Sequence, residues 1–281
     1  MGTSPRGKKN QVKGSGKMMK EFILISLGLV LLVLVGYAYQ HRSQVLGSGS
    51  GFLSSVFNRD SADDIETVED IVDRKSVECL FGIDVSHYQG NIHWDQLEGI
   101  NAEIPVSFVI LRATMGNDGL DRHFNDYWLQ AKWKNIPRGA YHYFRPNEPG
   151  MEQAKHFINQ VKLGKGDLPP IVDVEKEPRK KRIRDLRREL KVFLDAVEQH
   201  YHVKPIIYTM DSFFQSYLSN GEFDDYVLWV ANYNLAGMPR SAHWSIWQFS
   251  ERGKIKGVDE YVDLNIFRGS KRDFDRLLIK Q

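Results

Sequence analysis

Eight short apolar runs, rich in β-branched and aromatic residues, recur along the chain beyond residue 79 and predict β-strands. They occupy residues 80–85, 105–111, 138–144, 169–174, 204–209, 226–231, 244–249 and 261–267. Apolar residues three or four positions apart predict helices between the earlier runs, at about 124–131, 151–161 and 183–197. Because strands that alternate with helices form parallel sheets, and eight such strands can close on themselves, the pattern predicts a barrel.

The last three runs lie too close together for ordinary crossover helices, which need a dozen or more residues. We therefore expect an α/β protein with an irregular TIM-like barrel, in which five βα units are followed by three further strands. This barrel is predicted to occupy residues 79–281. A chain of 281 residues with 42% hydrophobic residues can bury a core of that size.

A different hydrophobic pattern precedes the barrel. Residues 22–39 form an uncharged apolar run of 18 residues, which as a helix nearly spans a hydrocarbon core of about 30 Å. Six Lys and Arg residues and no acid lie in the first 20 residues of the preceding tail, 1–21, so the positive-inside tendency places this tail in the cytoplasm. We expect a single-pass transmembrane helix, a signal anchor in the cytoplasmic membrane with the barrel on the extracytoplasmic side. A cleaved signal peptide is the alternative.

Composition narrows the other possibilities. Residues 40–78 are first Gly/Ser-rich and then acidic, which predicts a flexible spacer. Cys79 is the single cysteine, so no intrachain disulfide and no cysteine-rich metal motif can form, and the histidines lack metal-ligand spacing. A net charge of +2 is not that of a nucleic-acid-binding protein. We expect no metal, no cofactor and no nucleic-acid partner.

Polar side chains cluster where the predicted strands end. In parallel barrels the functional residues lie at the carboxyl ends of the strands and in the loops beyond them. The residues found at such positions are Asp84, Tyr143, Arg145, Asp173, Glu175, Tyr208, Trp229, Asn232, Tyr233, Gln248 and, on the last strand, Asp263.

Asp173 and Glu175 are two residues apart at the end of a strand, so their side chains project from the same face. Two carboxylates in one partly dry pocket raise a pKa and leave a protonated acid beside an ionised partner, which is what cleavage of a glycosidic bond needs. The surrounding aromatic and amide side chains are typical of a glycan groove. An Asp-x-Glu sequence at a strand end is otherwise compatible with a solvated edge or a helix N-cap.

Taken together, these residues resemble the glycoside hydrolase family 25 muramidases. The resemblance runs from about Leu80 to Phe267 and rests on the order of the motifs Phe81-Gly-Ile-Asp-Val-Ser-His-Tyr-Gln-Gly90, Gly139-Ala-Tyr-His-Tyr-Phe-Arg145, Ile171-Val-Asp-Val-Glu175, Tyr208, Trp229-Val-Ala-Asn-Tyr233, Trp247-Gln248 and Val262-Asp-Leu-Asn265. It implies an irregular barrel of five βα units and three strands. It also implies hydrolysis of the β-1,4 bond after N-acetylmuramic acid in peptidoglycan, by a catalytic domain that we expect to be monomeric.

The resemblance also implies roles for single residues. Glu175 would be the general acid, and Asp173 would orient the substrate's 2-acetamido group, which could attack the anomeric carbon and give retention. Asp84 and Asp263 would line the same site. Sequence alone leaves the nucleophile open, as the acetamido group, an Asp or a water. The expected substrate-binding residues are Gln89, Tyr143, Arg145, Tyr208, Trp229, Asn232, Tyr233 and Gln248.

The chain departs from the family pattern at one wall of the groove, where Met115 stands at a position that often carries Glu and Arg112 at one where Lys is common. The basic run from Arg179 to Arg188 is either a solvated helix face or a surface that binds anionic wall polymer or lipid head groups. Two rival functions remain: a glycan-binding scaffold of the same fold without catalysis, and a chitinase-like glycosidase. The longer Asp-x-x-Asp-x-Asp-x-Glu signature of the latter is absent around residue 175.

Overall fold

A computed structural model of the protein describes residues 78–97, 99, 104–234, 238–241 and 243–280. Within these ranges no helix is long and apolar enough to cross a bilayer. The tail predicted at 1–21, the transmembrane helix predicted at 22–39 and all but the last residue of the spacer predicted at 40–78 lie outside the described residues.

All eight predicted strands are present and close into a barrel. Their bounds are β1 Cys79–Val85, β2 Phe108–Met115, β4 Arg138–Tyr143, β5 Ile171–Asp173, β6 Ile206–Met210, β7 Val227–Ala231, β8 Trp244–Gly253 and β9 Val262–Arg268, and the two-residue strand β3 (Gly119–Leu120) pairs with the end of β2. The order around the barrel is β1, β9, β8, β7, β6, β5, β4, β2, and the pairing of β2 with β1 closes it.

Three helices match the predicted periodicity: α1 Phe124–Trp133, α2 Gly150–Gln160 and α3 Ile183–Tyr201. Two further helices were not predicted: the short α4 Asp211–Phe213, which continues into a π-turn at Phe214–Leu218, and α5 Lys271–Leu277. Helix α3 buries residues at helical spacing, namely Leu186, Leu190, Phe193, Leu194 and Val197, and these pack in the layer between the sheet and the helices.

Two features depart from the predicted barrel. The described residues between β1 and β2 form two 3-10 turns, His87–Gln89 and Trp94–Gln96, where an α-helix was expected. Strand β9 is antiparallel to both of its neighbours, β8 and β1, whereas the alternation of strands and helices predicted a parallel sheet. The physical reason is length: the eight residues between β8 and β9 can reverse the chain but cannot hold a crossover helix.

The barrel interior contains a second hydrophobic core, apart from the one between the sheet and the helices. It is made by residues at alternate positions on the strands, among them Phe108, Ile110, Ile171, Ile206, Ile246 and Phe267. Helix α5 adds Phe274, whose ring lies 5.2 Å from that of Phe108 and 5.1 Å from that of Phe267. A β-carbon on Gly82 would come within 2.4 Å of the Phe108 ring, so this position of β1 requires glycine. This part of the barrel interior is therefore filled by packed apolar side chains.

Candidate active site

A polar cleft of about 400 Å³ opens at the carboxyl ends of the parallel strands. All eight barrel strands, or the loops next to them, contribute to its walls. The lining side chains include Asp84, Gln89, Arg112, Met115, Tyr141, Tyr143, Asp173, Glu175, Lys176, Tyr208, Trp229, Tyr233, Gln248, Glu251 and Asp263. The four acids predicted from sequence, Asp84, Asp173, Glu175 and Asp263, all line this one cleft.

Alternation along the strands brings the acids together. On β5, Asp173 lies two residues beyond Ile171, which packs in the interior core, so its side chain points into the barrel above that core. Asp263 lies at the same end of the barrel although it is at the beginning of its strand. Because β9 runs antiparallel, its first residues lie beside the last residues of β1, and Asp263 is paired directly with Asp84. The cleft therefore collects the ends of parallel strands and the beginning of the antiparallel one.

A buried hydrogen-bond network holds Asp84. Its Oδ2 accepts a hydrogen bond of 2.7 Å from Gln248 Nε2 and another of 2.7 Å from Asn265 Nδ2. The Gln248 amide oxygen accepts from the hydroxyls of Tyr208, at 2.9 Å, and Tyr233, at 2.8 Å. The two tyrosines orient the Gln248 amide, and Trp229 Nε1, which donates to Asn265 Oδ1, orients the other amide, so that each presents its N–H groups to the carboxylate. Asp84 is thus a fixed ionic centre rather than a mobile base.

Asp84 and Asp263 share a proton. The two carboxyl groups are hydrogen-bonded, and burial together with the Asp84 charge raises the pKa of Asp263 to about 9. Burial also raises the pKa of Asp84, to about 6, although hydrogen bonds from Asn265 and Gln248 oppose this. At neutral pH the pair holds one proton, on Asp263, because two like charges in contact in a buried site cannot both ionise at low cost.

This pair makes a prediction about stability. A carboxyl group whose pKa is about 9 in the folded protein favours folding fully only below its ordinary pKa of about 4, and that contribution is lost as the pH rises through 9. Asp263→Asn keeps a donor for Asp84 but does not titrate. We expect its melting temperature to fall less than that of the wild type between pH 5 and pH 8.

Thermal denaturation followed by circular dichroism measures the two slopes. Asp259→Asn, which removes an exposed acid four residues earlier, is the matched control and should keep the wild-type slope. Equal slopes for the wild type and Asp263→Asn would refute the shared proton.

Asp173 and Glu175 form the reactive part of the cleft. Asp173 is only 6% exposed, and its Oδ1 is buried with no hydrogen-bond partner among the described residues. Burial and the charges of Glu175 and Asp84 raise the pKa of Asp173 well above its usual value. Burial likewise raises the pKa of Glu175, and the Lys176 ammonium opposes it. The raised pKa values mean that this pair of acids retains a proton to higher pH than usual. One of its oxygens, Asp173 Oδ1, lacks the hydrogen bond that a buried acceptor normally makes.

Comparison with known proteins identifies the family. The family model described as Glycosyl hydrolases family 25 matches residues 83–258. The chain belongs to glycoside hydrolase family 25. This confirms the resemblance read from the sequence motifs. The matched range includes Asp84, Asp173 and Glu175 and ends just before Asp263.

Individual relatives extend the match. The protein YegX from Escherichia coli (strain K12) is 35% identical over 193 residues, which cover 68% of this chain and 70% of YegX. Lysozyme M1 from Streptomyces globisporus is 31% identical over 206 residues, which cover 67% of this chain and 68% of that lysozyme. The structure of a family 25 glycosyl hydrolase from Bacillus anthracis matches with a TM-score of 0.65 at 29% identity, covering 73% of this chain and 95% of that one.

The predicted substrate-binding residues of this family 25 glycoside hydrolase fall into three groups. Gln89, Tyr143 and Tyr233 line the cleft with exposed surface, and the Tyr143 hydroxyl lies beside Glu175 and Lys176. Tyr208 and Trp229 border the cleft but are 7% and 1% exposed. They act mainly as supports, like Gln248: Trp229 Nε1 donates to Asn265 Oδ1 at 2.8 Å.

The structure keeps the third group, Arg145 and Asn232, out of the lining of this cleft. The Arg145 guanidinium is held by Asp118 at 2.9 Å and Glu148 at 3.1 Å. The Asn232 side chain accepts from the backbone of Asn234, and its carbonyl accepts from the Trp247 ring. Both residues follow strands, as predicted, but local partners turn their side chains elsewhere.

Sequence reasoning did not assign Tyr141 or Asn265 to the site. Tyr141 lines the cleft, and Asn265 donates to Asp84. A signal for both was present: each lies two residues from a predicted site residue on the same strand, Tyr143 on β4 and Asp263 on β9, and therefore shares its face. Because alternate residues of a strand share a face, Tyr141 could have been assigned from Tyr143, and Asn265 from Asp263.

The two residues of β2 at which the chain departs from the family pattern, Arg112 and Met115, both lie in the wall of the cleft. Met115 lines the cleft and contributes an apolar side chain to this wall. Arg112 lines it too, but its Nε donates to Asp121 at 3.0 Å and its guanidinium contacts His87. The cation is thus pinned beside the acids, where its charge lowers the pKa of Asp173 against the larger effect of burial. Among the described residues no group of three His, Cys, Asp or Glu side chains is arranged to hold a metal ion.

Proposed function

We propose that this protein is a muramidase, which hydrolyses the β-1,4 bond between N-acetylmuramic acid and N-acetylglucosamine in peptidoglycan with retention of anomeric configuration. Membership of family 25 and similarity to a protein named Lysozyme M1 support the substrate class. The single observation that carries the mechanism is the buried, unpartnered Oδ1 of Asp173 two residues from Glu175.

That oxygen lacks a donor, and an N-acetylated sugar supplies one. The N–H of a 2-acetamido group is a neutral donor that can satisfy Asp173 Oδ1 without bringing a further charge into the buried site. With its N–H held by Asp173, the acetamido carbonyl oxygen turns toward the anomeric carbon. Chitin-type substrates carry the same 2-acetamido group. Asp173 therefore selects for sugars that have this group, but it does not by itself select for muramic acid.

In the first step Glu175 donates its proton to the glycosidic oxygen as the bond to the anomeric carbon breaks. The acetamido carbonyl oxygen forms the new bond to that carbon and gives a cyclic oxazolinium ion, whose positive charge the ionised Asp173 stabilises. In the second step Glu175, now a carboxylate, takes a proton from water as the water oxygen attacks the same carbon and opens the ring. Two inversions give net retention.

The proton must therefore sit on Glu175 when the bond breaks. In the free protein burial raises the pKa of both acids, and more strongly that of Asp173. A substrate N–H bonded to Asp173 stabilises its ionised form, so that between these two acids the proton is favoured on Glu175. Substrate binding thus sets the protonation state that the reaction requires.

Lys176 offers a test of this assignment. Its ammonium lowers the pKa of Glu175, so Lys176→Gln should raise that pKa. Activity is lost when Glu175 loses its proton at high pH, and the alkaline limb of the kcat/KM profile should therefore move to higher pH. Because Lys176 is exposed, the difference from wild type should shrink in 0.5 M salt. Lys132→Gln, an exposed lysine on α1, is the control; an unmoved limb would argue against Glu175 as the acid.

Analysis of products tests the activity itself. Fragments released from purified peptidoglycan should carry reducing N-acetylmuramic acid ends by mass spectrometry, and the first-formed anomer should be β by proton NMR. Reducing N-acetylglucosamine ends or anhydro ends would exclude the proposed bond, and a first-formed α anomer would exclude retention.

We also propose that residues 22–39 tether the protein to the cytoplasmic membrane, with the barrel on the extracytoplasmic side. The 18-residue apolar run and the basic residues before it support this proposal. A spacer of about 40 residues scales to a flexible reach of roughly 35 Å, which would bring nearby wall within range. The protein should stay with membranes after alkaline extraction, and N-terminal sequencing should show that residues 22–39 are retained; their loss would indicate a cleaved signal peptide.

A further inference from the structure

The segment that leaves the cleft after Glu175 carries an exposed cluster of cations. We call Arg179, Lys180, Lys181 and Arg184 the basic rim. Arg179, Lys180 and Arg184 are exposed and Lys181 is partly exposed, and none of the four forms an ion pair with another described residue. Two neighbouring cations differ, because Arg182, the N-cap of α3, and Arg188 are paired with Asp185. The rim is thus a set of charges that the fold itself does not neutralise.

Positive charge is concentrated around the rim, whereas the rest of the barrel has more acidic than basic residues. Residues 176–191 contain nine Lys and Arg residues against three Asp and Glu residues. The remainder of the barrel, 79–175 and 192–281, contains nineteen against twenty-four. An overall net charge near zero therefore hides a local positive patch, which attracts anions within about 10 Å at moderate ionic strength.

Helix α3 strengthens this field. It begins at Ile183, within the basic rim, and its N-terminus carries the positive end of the helix dipole. Cations are unfavourable at that end, and the N-cap residue Arg182 has no side-chain acceptor for the first turn. The cluster therefore costs helix stability where it stands, which helix formation alone does not explain.

The rim is also next to the cleft. Arg179 is four residues from Glu175, so their Cα atoms are at most roughly 14 Å apart. Between them Lys176 lines the cleft, with its Nζ 5.1 Å from the centre of the Tyr143 ring. The backbone N–H of Lys180 donates to Asn147 Oδ1 at 3.2 Å, which ties the segment to the loop after β4. A glycan seated in the cleft would extend its substituents past these charges.

We infer that the basic rim binds the carboxylates of the stem peptides on the glycan and makes the protein prefer peptide-bearing strands with free carboxylates. This inference rests on the proposed muramidase function. Muramic acid residues carry their peptides through the lactyl group, so each peptide-bearing muramic acid near the cut site brings several carboxylates to within reach of the rim. Exposed lysine and arginine side chains bind such flexible carboxylates without a rigid pocket.

An anionic lipid surface has the complementary charge but does not suit this position. If the rim lay against lipid head groups, the adjoining cleft, which Lys176 and Glu175 line, would face the bilayer. Glycan strands could then not enter it. Stem peptides and the glycan that bears them can occupy the rim and the cleft together. The peptide carboxylates are therefore the partner that both features accommodate.

The test compares two forms of one substrate with the full-length protein. Soluble glycan fragments bearing uncrosslinked peptides are used as prepared, or after their peptide carboxylates are converted to amides. We expect the wild type in 50 mM salt to have a kcat/KM about tenfold higher on the carboxylate form, since several individually weak ion pairs add. R179Q/K180Q/K181Q should lose that preference through KM and leave cleavage of the amidated form unchanged.

The matched control removes three charges from the opposite end of the barrel. Lys132, Lys162 and Lys165 are exposed beside a groove near the amino ends of β4 and β5, and K132Q/K162Q/K165Q should keep the wild-type preference. Raising the salt to 0.5 M should abolish the preference of the wild type.

Three outcomes would overturn the inference while leaving the muramidase function intact. They are equal rates on both substrates, an equal loss on both in the rim variant, and a rim-dependent sedimentation with anionic phospholipid vesicles with substrate preference unchanged. The last would assign the rim to a lipid surface. Failure of the wild type to cleave either form would instead refute the proposed function, and the inference with it.

Discussion

Glu175→Gln is expected to lower kcat on peptidoglycan by about 10³-fold while the protein folds normally, since a positioned general acid contributes roughly 10² to 10⁴. The amide has the size of the acid but no proton to donate at a useful pKa. Burial raises the pKa of Glu175, which keeps the acid protonated to higher pH, and glutamine abolishes that supply. Release of reducing ends measures the loss.

A change of leaving group separates catalysis from general damage. An aryl glycoside leaves as a phenolate and needs little protonation, so Glu175→Gln should lose far less activity on it than on peptidoglycan. Glu177→Gln removes an exposed acid two residues away and is the matched control, with near wild-type rates expected. Loss of activity to the same degree on both substrates would show that Glu175 does something other than donate the proton.

Asp173→Asn is expected to lower kcat by about 10²-fold or more and at the same time to make the protein more stable at neutral pH. The activity falls because a neutral amide cannot stabilise the positive oxazolinium ion as a carboxylate can. The stability rises because the substitution removes a buried carboxyl group whose pKa burial and the charges of Glu175 and Asp84 raise.

The sign of the stability effect follows from that raised pKa. A carboxyl group with a raised pKa in the folded state favours folding fully only below its ordinary pKa of about 4, and it increasingly opposes folding as the pH rises. The melting temperature of Asp173→Asn should therefore exceed that of wild type by a margin that grows from pH 5 to pH 8. For a domain of this size, each 1 kcal/mol of added stability corresponds to about 2–4 °C.

Kinetics on peptidoglycan and thermal denaturation at several pH values measure both effects. Asp225→Asn, at an exposed position before β7, serves as the control and should change neither. Full activity in Asp173→Asn would remove the acetamido-orienting role. A lower melting temperature at every pH would show that the carboxyl group is structurally required.

The fold could be predicted in outline because its signals are local. Apolar runs of strand length and the apolar faces of α1, α2 and α3 are set by residues that are neighbours in sequence. The direction of β9 is not local in this sense, since it depends on what the chain between β8 and β9 can span. The prediction of a parallel sheet was wrong for that strand, although the short connection already excluded a helix.

The site could be predicted to the level of strand ends. Asp84, Asp173 and Glu175 were found because parallel strands place their carboxyl ends together, a rule that needs no coordinates. Arg145 satisfied the same rule and lies outside the cleft, because Asp118 and Glu148 are close enough to bind its guanidinium. Which side chains a residue meets thus depends on partners both near and far in sequence, here Glu148 and Asp118.

By itself the sequence determined the barrel, the family and the acids Asp173 and Glu175, since these depend on periodicity and on residue types at strand ends. The tertiary structure decided the environment of those acids. It alone paired Asp263 with Asp84 across an antiparallel neighbour, buried Asp173 Oδ1 without a donor and left the basic rim unpaired beside the cleft. The physical reason is that a pKa, an unsatisfied oxygen and an exposed charge are properties of surroundings, and these surroundings are assembled from strands as much as 181 residues apart.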